Sequence, residues 1–426
     1  MKQNNTNRGW AVVASGLGIN LALGVLYAWS IFKEAITESI HQGGPGAFQW
    51  NPASLNDPYA LCTLVFAFAM IAAGRLQDKK GPALTAFLGG LLVASGFFLI
   101  SRTTSYALWV FGFGGLVGAG IGFGYSASTP PALKWFPRER SGLIAGIVVS
   151  GFGLAPLYIA PLANFLLGQL SLSRVLALFG GAFLLIVSVL SLFLKNPPAG
   201  FSPEAEAPQD DQRGASPMVA ATGGACGDVP ARQMLRSPAF HLLWLLYFVG
   251  AGAGLMVIGS IAGLAQRSLG DMAFLAVAIM AVGNAAGRVA AGILSDRLGK
   301  NRTLGLVFLV QALLMFAAVV VTGGDSALLL VLVATSIGFN YGANLSLFPA
   351  FSKAWWGMKN FGVNYGLLFT AWGTGGFIMS RLSQTLAERT GSFALTFVIA
   401  GTLLLCSAGA TLLLNRWDPA PVKVSG

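Results

Sequence analysis

The sequence predicts an all-α integral membrane protein with twelve transmembrane helices arranged as two six-helix repeats. The composition, the number of long apolar stretches and a set of motifs that occurs twice all indicate this fold class. Of the 426 residues, 55% are hydrophobic and 10% are charged, and the mean hydropathy is +0.71. A soluble domain carries about 25% charged residues. The composition therefore excludes a soluble domain, as well as intrinsic disorder, a collagen and a disulfide scaffold.

Twelve stretches of the chain are long and apolar enough to cross a membrane, which requires about 20 residues in a helix. Each is bounded by charged residues, glycine or proline. The first is too long for the core of a signal peptide and lacks an A-x-A cleavage pattern, so we expect it to remain as the first helix. The predicted spans are 10–32, 58–76, 83–101, 106–133, 143–168, 174–195, 240–265, 272–294, 303–322, 326–351, 363–385 and 393–415.

The lysines and arginines are distributed unequally between the two sets of loops. The termini and the loops on their side hold 19 of the 26, the opposite loops hold six, and Arg288 remains inside a span. Cytoplasmic loops of membrane proteins carry such an excess. This predicts a multi-pass protein of the inner (cytoplasmic) membrane with both termini in the cytoplasm. The same topology explains the net charge of +11 without a nucleic-acid partner, since no continuous basic face is formed.

One segment in the middle of the chain differs in composition from the rest. It is rich in Pro, Ala, Gly, Asp, Glu and Gln, with few large apolar residues, and cannot bury enough surface to fold alone. We therefore predict an N-terminal half at 1–195, a cytoplasmic linker at 196–238 and a C-terminal half at 239–426.

The two halves carry matching motifs. A pattern of Gly, Asp, a basic residue and Gly follows both the second and the eighth span, and Tyr125 in the fourth span is matched by Tyr341 in the tenth. Two parallel repeats are typical of secondary transporters, with a midplane substrate site and alternating access. A static helical membrane protein is the alternative. We predict a cytoplasmic gating motif at Gly74, Asp78, Lys79 and Gly81 and at Gly292, Asp296, Arg297 and Gly299.

Arg288 is the single charge predicted at membrane depth. An arginine there costs about 2.5 to 3.5 kcal/mol even on the lenient insertion scale, and no Asp or Glu falls in the central part of any span. A guanidinium also matches a carboxylate in bidentate geometry. We therefore predict that Arg288 binds an anionic substrate. The alternative is an arginine that snorkels to the interface or bonds backbone carbonyls for packing alone.

Other polar residues share helix faces with this site. Asn284 lies one turn before Arg288, and Asn20 and Tyr27 form a polar stripe in the first span. Tyr125 and Tyr341 occupy equivalent positions in the two halves and could close on a substrate, although each could equally be a packing tyrosine. One fixed positive charge suggests a substrate with one carboxylate, such as lactate, pyruvate, acetate or formate.

Several short motifs resemble the oxalate/formate antiporter family of the major facilitator superfamily, and within it the bacterial L-lactate transporters. In such transporters an arginine of the eighth span binds the substrate carboxylate, and Arg288 matches it. The resemblance implies the major facilitator fold and secondary transport of a small monocarboxylate, L-lactate before pyruvate, with a proton. The motifs are Leu23–Ser30, Asp78–Pro82, Lys134–Pro137, Met234–Pro238, Ser295–Gly299 and Asn364–Gly366.

Two departures from the family pattern bear on the substrate and on coupling. The oxalate exchanger has a second basic residue, a lysine, where this chain has Trp372, which argues against a dianion and adds Trp372 to the predicted substrate site. Animal monocarboxylate transporters have an Asp and a Lys where this chain has Asn284 and approximately Ile31. The proton could instead travel with the substrate or through a carboxylate at the edge of a loop, such as Glu34.

Other functional classes lack a supporting signal in the sequence. The chain has no phosphate-binding loop, and its three cysteines and two histidines have no metal-ligand spacing. We therefore predict neither an enzyme nor a cofactor or metal site. A carboxylate anion exchanger remains as one alternative, and a carboxylate-sensing receptor that does not transport remains as another. The expected partners are the monocarboxylate, a proton and the lipid bilayer, and the expected state is a monomer.

Overall fold

A computed structural model describes residues 2–136, 141–198, 201, 229–324, 326–357 and 360–416. Within these ranges the regular structure is helical throughout, as the sequence predicts, and no strand occurs. The predicted linker falls largely on residues outside them. We number twelve long helices: α1 Asn7–Gln42, α2 Asp57–Lys80, α3 Pro82–Ile100, α4 Tyr106–Lys134, α5 Ser141–Leu167, α6 Leu172–Ser191, α7 Pro238–Ile258, α8 Phe274–Leu298, α9 Lys300–Val321, α10 Ala327–Trp356, α11 Phe361–Thr390 and α12 Ala394–Arg416.

Eleven of these helices are long and apolar enough to cross a membrane over the described ranges, and α11 is the exception. It spans Phe361–Thr390, which is ample length, but glycine, threonine and asparagine lower its hydropathy. Several of its polar side chains are buried, namely those of Asn364, Ser380, Ser383 and Gln384. Helix α11 packs on α2 and α7, so these four residues face neighbouring helices instead of lipid. It occupies the place of the predicted eleventh span.

Helix α1 is longer and less regular than the sequence suggests. A 3₁₀ turn at Gly24–Ala28 interrupts it, and a Cβ at Gly24 would lie 2.6 Å from the carbonyl oxygen of Phe152 in α5. Only glycine permits that approach. Beyond the turn the helix continues to Gln42, ten residues past the predicted end at 32, because its last segment packs on the short helix Ile261–Leu269.

The repeated motif folds in the same way in both copies. Gly81 ends α2 with φ +91° and Gly299 ends α8 with φ +84°, a backbone region that favours glycine. Their amides donate to the carbonyls of Gln77 at 2.8 Å and Ser295 at 3.0 Å. The basic residues of the motif, Lys79 and Arg297, are exposed. The side chains of Asp78 and Asp296 lie outside the described part of the structure.

The first six and last six long helices meet along two helix pairs, α2 with α11 and α5 with α8. The proximal end of the bundle is defined as the end at which α1 begins. The distal end is the opposite end, at which α1 terminates. Because α8 runs from the distal to the proximal end, Arg288 lies in its proximal half, on the face toward α5.

Candidate functional site

Arg288 lies at the contact between α8 and α5 with 3% of its surface exposed. Its Nε donates to the Oδ1 of Asn284 at 3.1 Å, and its Nη1 donates to the carbonyl oxygen of Val149 in α5 at 2.8 Å. Its Nη2 is buried and has no hydrogen-bond partner. A buried donor without a partner is costly. The arrangement thus leaves one edge of the guanidinium able to bind an anion.

The packing around Arg288 depends on small neighbours. A Cβ at Gly153 in α5 would lie 3.2 Å from its Nε and 3.3 Å from its Nη2. The Ser346 hydroxyl in α10 donates to the Arg288 carbonyl at 2.7 Å. Small and polar residues form a stripe along α8 that is buried along its length, and the stripe comprises Ala281, Asn284, Arg288, Ala291 and Ser295.

Three predicted residues form a hydrogen-bonded chain across the two halves. The hydroxyls of Tyr27 in α1 and Tyr341 in α10 lie 2.5 Å apart, and the indole Nε1 of Trp372 in α11 donates to the Tyr341 hydroxyl at 2.8 Å. Each of the three side chains is at most 3% exposed. Trp372, which stands at the family's lysine position, therefore supplies a neutral donor to a tyrosine.

Tyr125 lies among aromatic rings on the other side of the site. Its ring centroid is 5.4 Å from those of Phe66 and Phe152 and 6.1 Å from that of Phe369 in α11. The guanidinium of Arg288 interacts electrostatically with the hydroxyls of both Tyr125 and Tyr27. The structure thus brings Asn284, Tyr27 and Tyr125 to the arginine, and Tyr341 and Trp372 join them through Tyr27.

Asn20 is placed differently from the other predicted site residues. Its amide donates to the Ser128 hydroxyl at 3.0 Å and to the Val148 carbonyl at 2.8 Å. These bonds join α1 to α4 and α5 within one half, and none of its described bonds reaches Arg288. Its Oδ1 is buried and, like the Nη2 of Arg288, has no hydrogen-bond partner.

A cavity of about 10 Å³ lies beside Arg288 between the two halves. A cavity of this size accommodates about one water-sized group. The site is therefore nearly closed in this conformation. The lining residues are Tyr27, Gly153, Pro156, Ile258, Ile261, Val277, Met280, Ala281 and Asn284.

A polar network, which we call the distal seal, closes the distal end between the halves. The Nζ of Lys33 and the Nδ2 of Asn56 both donate to the Ser260 hydroxyl at 3.3 Å. The Arg381 guanidinium in α11 pairs with the Asp57 carboxylate in α2 at 3.2 Å. Each of these contacts joins a residue of the first half to one of the second.

The distal seal changes the count of buried charges. The sequence places only Arg288 inside a span, whereas Lys33 is 6% exposed and Asp57 is 4% exposed in the structure. The structure therefore buries two charged residues in addition to Arg288. Both residues stand at predicted span ends, where hydropathy cannot tell a solvated charge from one buried against the opposite half.

The halves are packed less closely at the proximal end. Gly146 lies on the α5 face that also carries Val149 and Gly153, and Gly292 lies one turn beyond Arg288 in α8. A Cβ at either glycine would meet no atom within 4 Å. Between this open region and Arg288, Tyr125 and Phe369 stack across the interface. Polar contacts between the halves thus lie on the distal side of the site, and aromatic packing lies on its proximal side.

The described side chains include no group of three or more His, Cys, Asp or Glu residues that could hold a metal ion. The polar groups near Arg288 are hydroxyls, amides and an indole, which can bind a carboxylate through hydrogen bonds. The arrangement is suited to binding an anion between two halves.

Comparison with known proteins shows the family to which the chain belongs. The model of the Major Facilitator Superfamily matches residues 10–353 and 243–425. The oxalate:formate antiporter of Oxalobacter formigenes is 26% identical over 98% of this chain and 94% of its own length. Apicoplast pyruvate carrier 1 of Toxoplasma gondii is 25% identical over 98% and 91%, and monocarboxylate transporter 13 of Rattus norvegicus is 26% identical over 96% and 89%. These relatives are transporters and not enzymes, and the chain belongs to the Major Facilitator Superfamily.

Proposed function

We propose that the protein carries a small monocarboxylate across the membrane by alternating access, with L-lactate as the first candidate and pyruvate as the second. The observation that carries the proposal is the buried Nη2 of Arg288, which has no partner although the guanidinium lies between the two halves. In this proposal the substrate carboxylate bonds this edge, and the Tyr27 and Tyr125 hydroxyls donate to it.

The surroundings of Arg288 favour a monoanion over a dianion. The place of a second cation is taken by Trp372, which stacks on Phe369 at 4.8 Å and packs against Phe66 at 5.0 Å. A second carboxylate there would lose its hydration without gaining a counter-charge. The names of the pyruvate carrier and the monocarboxylate transporter agree with this, whereas the name of the oxalate:formate antiporter keeps an anion exchanger as the second candidate.

We also propose that the proximal end faces the cytoplasm of a cell with the protein in its inner membrane, and that the protein acts as a monomer. The basic residues of the loops on that side support the orientation. The loops containing Asp78 and Asp296 would then gate the cytoplasmic side. A proton accompanies the substrate, with Glu34 as one candidate carrier. Its Oε2 would lie 3.2 Å from a Cβ at Gly263, across the distal interface.

The test is uptake of labelled L-lactate and pyruvate by purified protein in liposomes. The conditions are an inward proton gradient, no gradient, and preloading with unlabelled formate or oxalate. Gradient-driven accumulation in empty vesicles is expected. Uptake that occurs only in preloaded vesicles would make the protein an exchanger. Saturable binding without uptake in any condition would favour the receptor.

A further inference from the structure

A second cavity, which we call the distal cavity, lies at the distal end of the first half. Its volume is about 710 Å³, which is within the range of about 300 to 1,000 Å³ that is usual for ligand sites. Its walls come from the last turns of α1, the residues that follow α3, the start of α4 and the connection between α5 and α6. All of its described lining residues belong to the first half, and none of them lines the site at Arg288.

Aromatic side chains beside the distal cavity indicate its depth in the membrane. Trp109 lines the cavity. The ring of Trp50 lies 5.6 Å from that of Trp109 and 5.5 Å from that of Tyr106. Tryptophan and tyrosine are enriched where a membrane meets water. The cavity therefore lies at the level of the lipid headgroups, next to the distal ends of α3 and α5.

The distal cavity has one cationic and one anionic lining residue, Arg102 and Glu38, and both are exposed. Arg102 lies in a fixed loop, because the carbonyls of the next two residues accept from the indoles of Trp109 and Trp50 at 2.8 Å. Glu38 lies in α1 and accepts from the Gln42 amide at 2.9 Å. Within the described part of the chain, neither charge forms an ion pair. The cavity thus presents two separate charges of opposite sign.

The remaining wall of the distal cavity is apolar where α5 meets α6. Leu167 ends α5, Leu172 begins α6, and Leu170 and Leu176 line the cavity beside them. A small soluble zwitterion would leave these leucines in contact with water. A lipid would cover them, and burial of apolar surface stabilises a complex in proportion to its area.

We infer that the distal cavity binds a phospholipid of the distal leaflet whose headgroup carries a phosphate and a primary ammonium, as in phosphatidylethanolamine. The Arg102 guanidinium bonds the phosphate, for which its planar fork is suited. The Glu38 carboxylate accepts from the ammonium, which has three donors as a lysine does. The leucines pack on the first carbons of the acyl chains. This inference does not depend on the proposed substrate.

Such a lipid would also act on the distal seal. It would join α1 to the ends of α3 and α6, and the same distal segment of α1 carries Lys33, which donates to Ser260 of the second half. A ligand that binds the folded protein raises its stability. We therefore expect phosphatidylethanolamine to raise the temperature of thermal unfolding more than a lipid that bonds only one of the two charges.

The test is native mass spectrometry of the delipidated full chain, titrated with three phospholipids that have identical acyl chains. Phosphatidylethanolamine has both headgroup charges and N–H donors. Phosphatidylcholine has a quaternary ammonium without donors, and phosphatidylglycerol has no cation. Because pairs between exposed charges are weak, we expect phosphatidylethanolamine to bind about 2- to 5-fold more tightly than the other two.

Two variants separate the charges of the distal cavity. Arg102→Gln should raise the dissociation constants of all three lipids by about 2- to 5-fold, since all three contain the phosphate. Glu38→Gln should raise that of phosphatidylethanolamine alone. Arg389→Gln and Glu388→Gln are the matched controls, because both residues are exposed near the distal end of α11 and do not line the cavity. Neither control should change the series.

Three outcomes would overturn the inference. The first is equal binding of the three lipids by the wild-type protein, a result that does not depend on how any variant folds. The second is a series that stays unaltered in both Arg102→Gln and Glu38→Gln. The third is displacement of the lipid by soluble phosphoethanolamine at a similar concentration, since the cavity would then bind a small zwitterion without using its apolar wall. The proposed transport function would stand in each case.

Discussion

Replacing Arg288 with lysine separates the charge of this residue from its geometry. The arginine uses Nε for Asn284 and Nη1 for Val149 at once and keeps Nη2 free for the substrate. A lysine retains the positive charge but presents a single ammonium on a flexible stem. It cannot donate to the Val149 carbonyl, to the Asn284 Oδ1 and to a substrate carboxylate in the geometry that the guanidinium provides.

The expected loss follows from the bonds that the lysine cannot make. A hydrogen bond to a charged group contributes about 1.5 to 3 kcal/mol. If the variant loses one such bond to the substrate, the apparent affinity should fall by about 10- to 150-fold, since 1.4 kcal/mol is tenfold. The Val149 carbonyl also loses its donor, so part of the cost should appear as lower thermal stability.

The assay is initial uptake of labelled L-lactate or pyruvate in proteoliposomes at concentrations below KM, with thermal unfolding measured in parallel. Arg389→Lys is the matched control, because Arg389 is exposed near the end of α11. It should retain wild-type uptake. If Arg288→Lys also transported at the wild-type rate, the guanidinium would not bind the substrate in the way proposed here.

Three further changes test other parts of the site. Trp372→Phe removes the indole donor to the Tyr341 hydroxyl. The concentration of unlabelled pyruvate that halves uptake of labelled pyruvate should rise by about 2- to 12-fold, the equivalent of one neutral hydrogen bond; an unchanged inhibition curve would contradict this. Gly153→Ala should raise the KM for uptake, because its Cβ would lie 3.2 Å from the Arg288 Nε; an unaltered KM would show that the guanidinium can shift freely. Asp57→Asn weakens the pair with the half-exposed Arg381. In protein whose native Cys62, Cys226 and Cys406 are replaced by alanine, it should speed labelling of Thr63→Cys by a distally added, impermeant maleimide by up to about 5-fold; equal rates would exclude a sealing role.

The features that depend on composition and periodicity could be predicted from the sequence. Hydropathy located the spans, and the depth of Arg288 in α8 identified it as a buried charge. The repeated motif predicted turns that Gly81 and Gly299 form with positive φ. These features depend on residues that are close together in the chain or on the hydropathy that a membrane span requires, and both can be read from a single sequence.

Contacts between distant helices could not be predicted in the same way. The partners of Arg288 in α5 are a backbone carbonyl, at Val149, and a glycine, Gly153, and neither residue type signals a binding role. Burial of Lys33 and Asp57 depends on a contact with the opposite half, so their positions at span ends suggested solvated loops. Asn20 is another case, since the polar stripe of the first span gave no sign that the Asn20 amide joins α1 to α4 and α5.

The position of Arg288 connects substrate binding to the contact between the halves. Its guanidinium belongs to α8 but donates to α5 at 2.8 Å, and Tyr27 joins Tyr341 across the same interface. A carboxylate bonded by Arg288 and by hydroxyls of the first half would add bonds that exist only while the halves are close. A ligand favours a conformation by as much as its binding differs between conformations. The proposed substrate would therefore stabilise the occluded state, which each transport cycle must pass through.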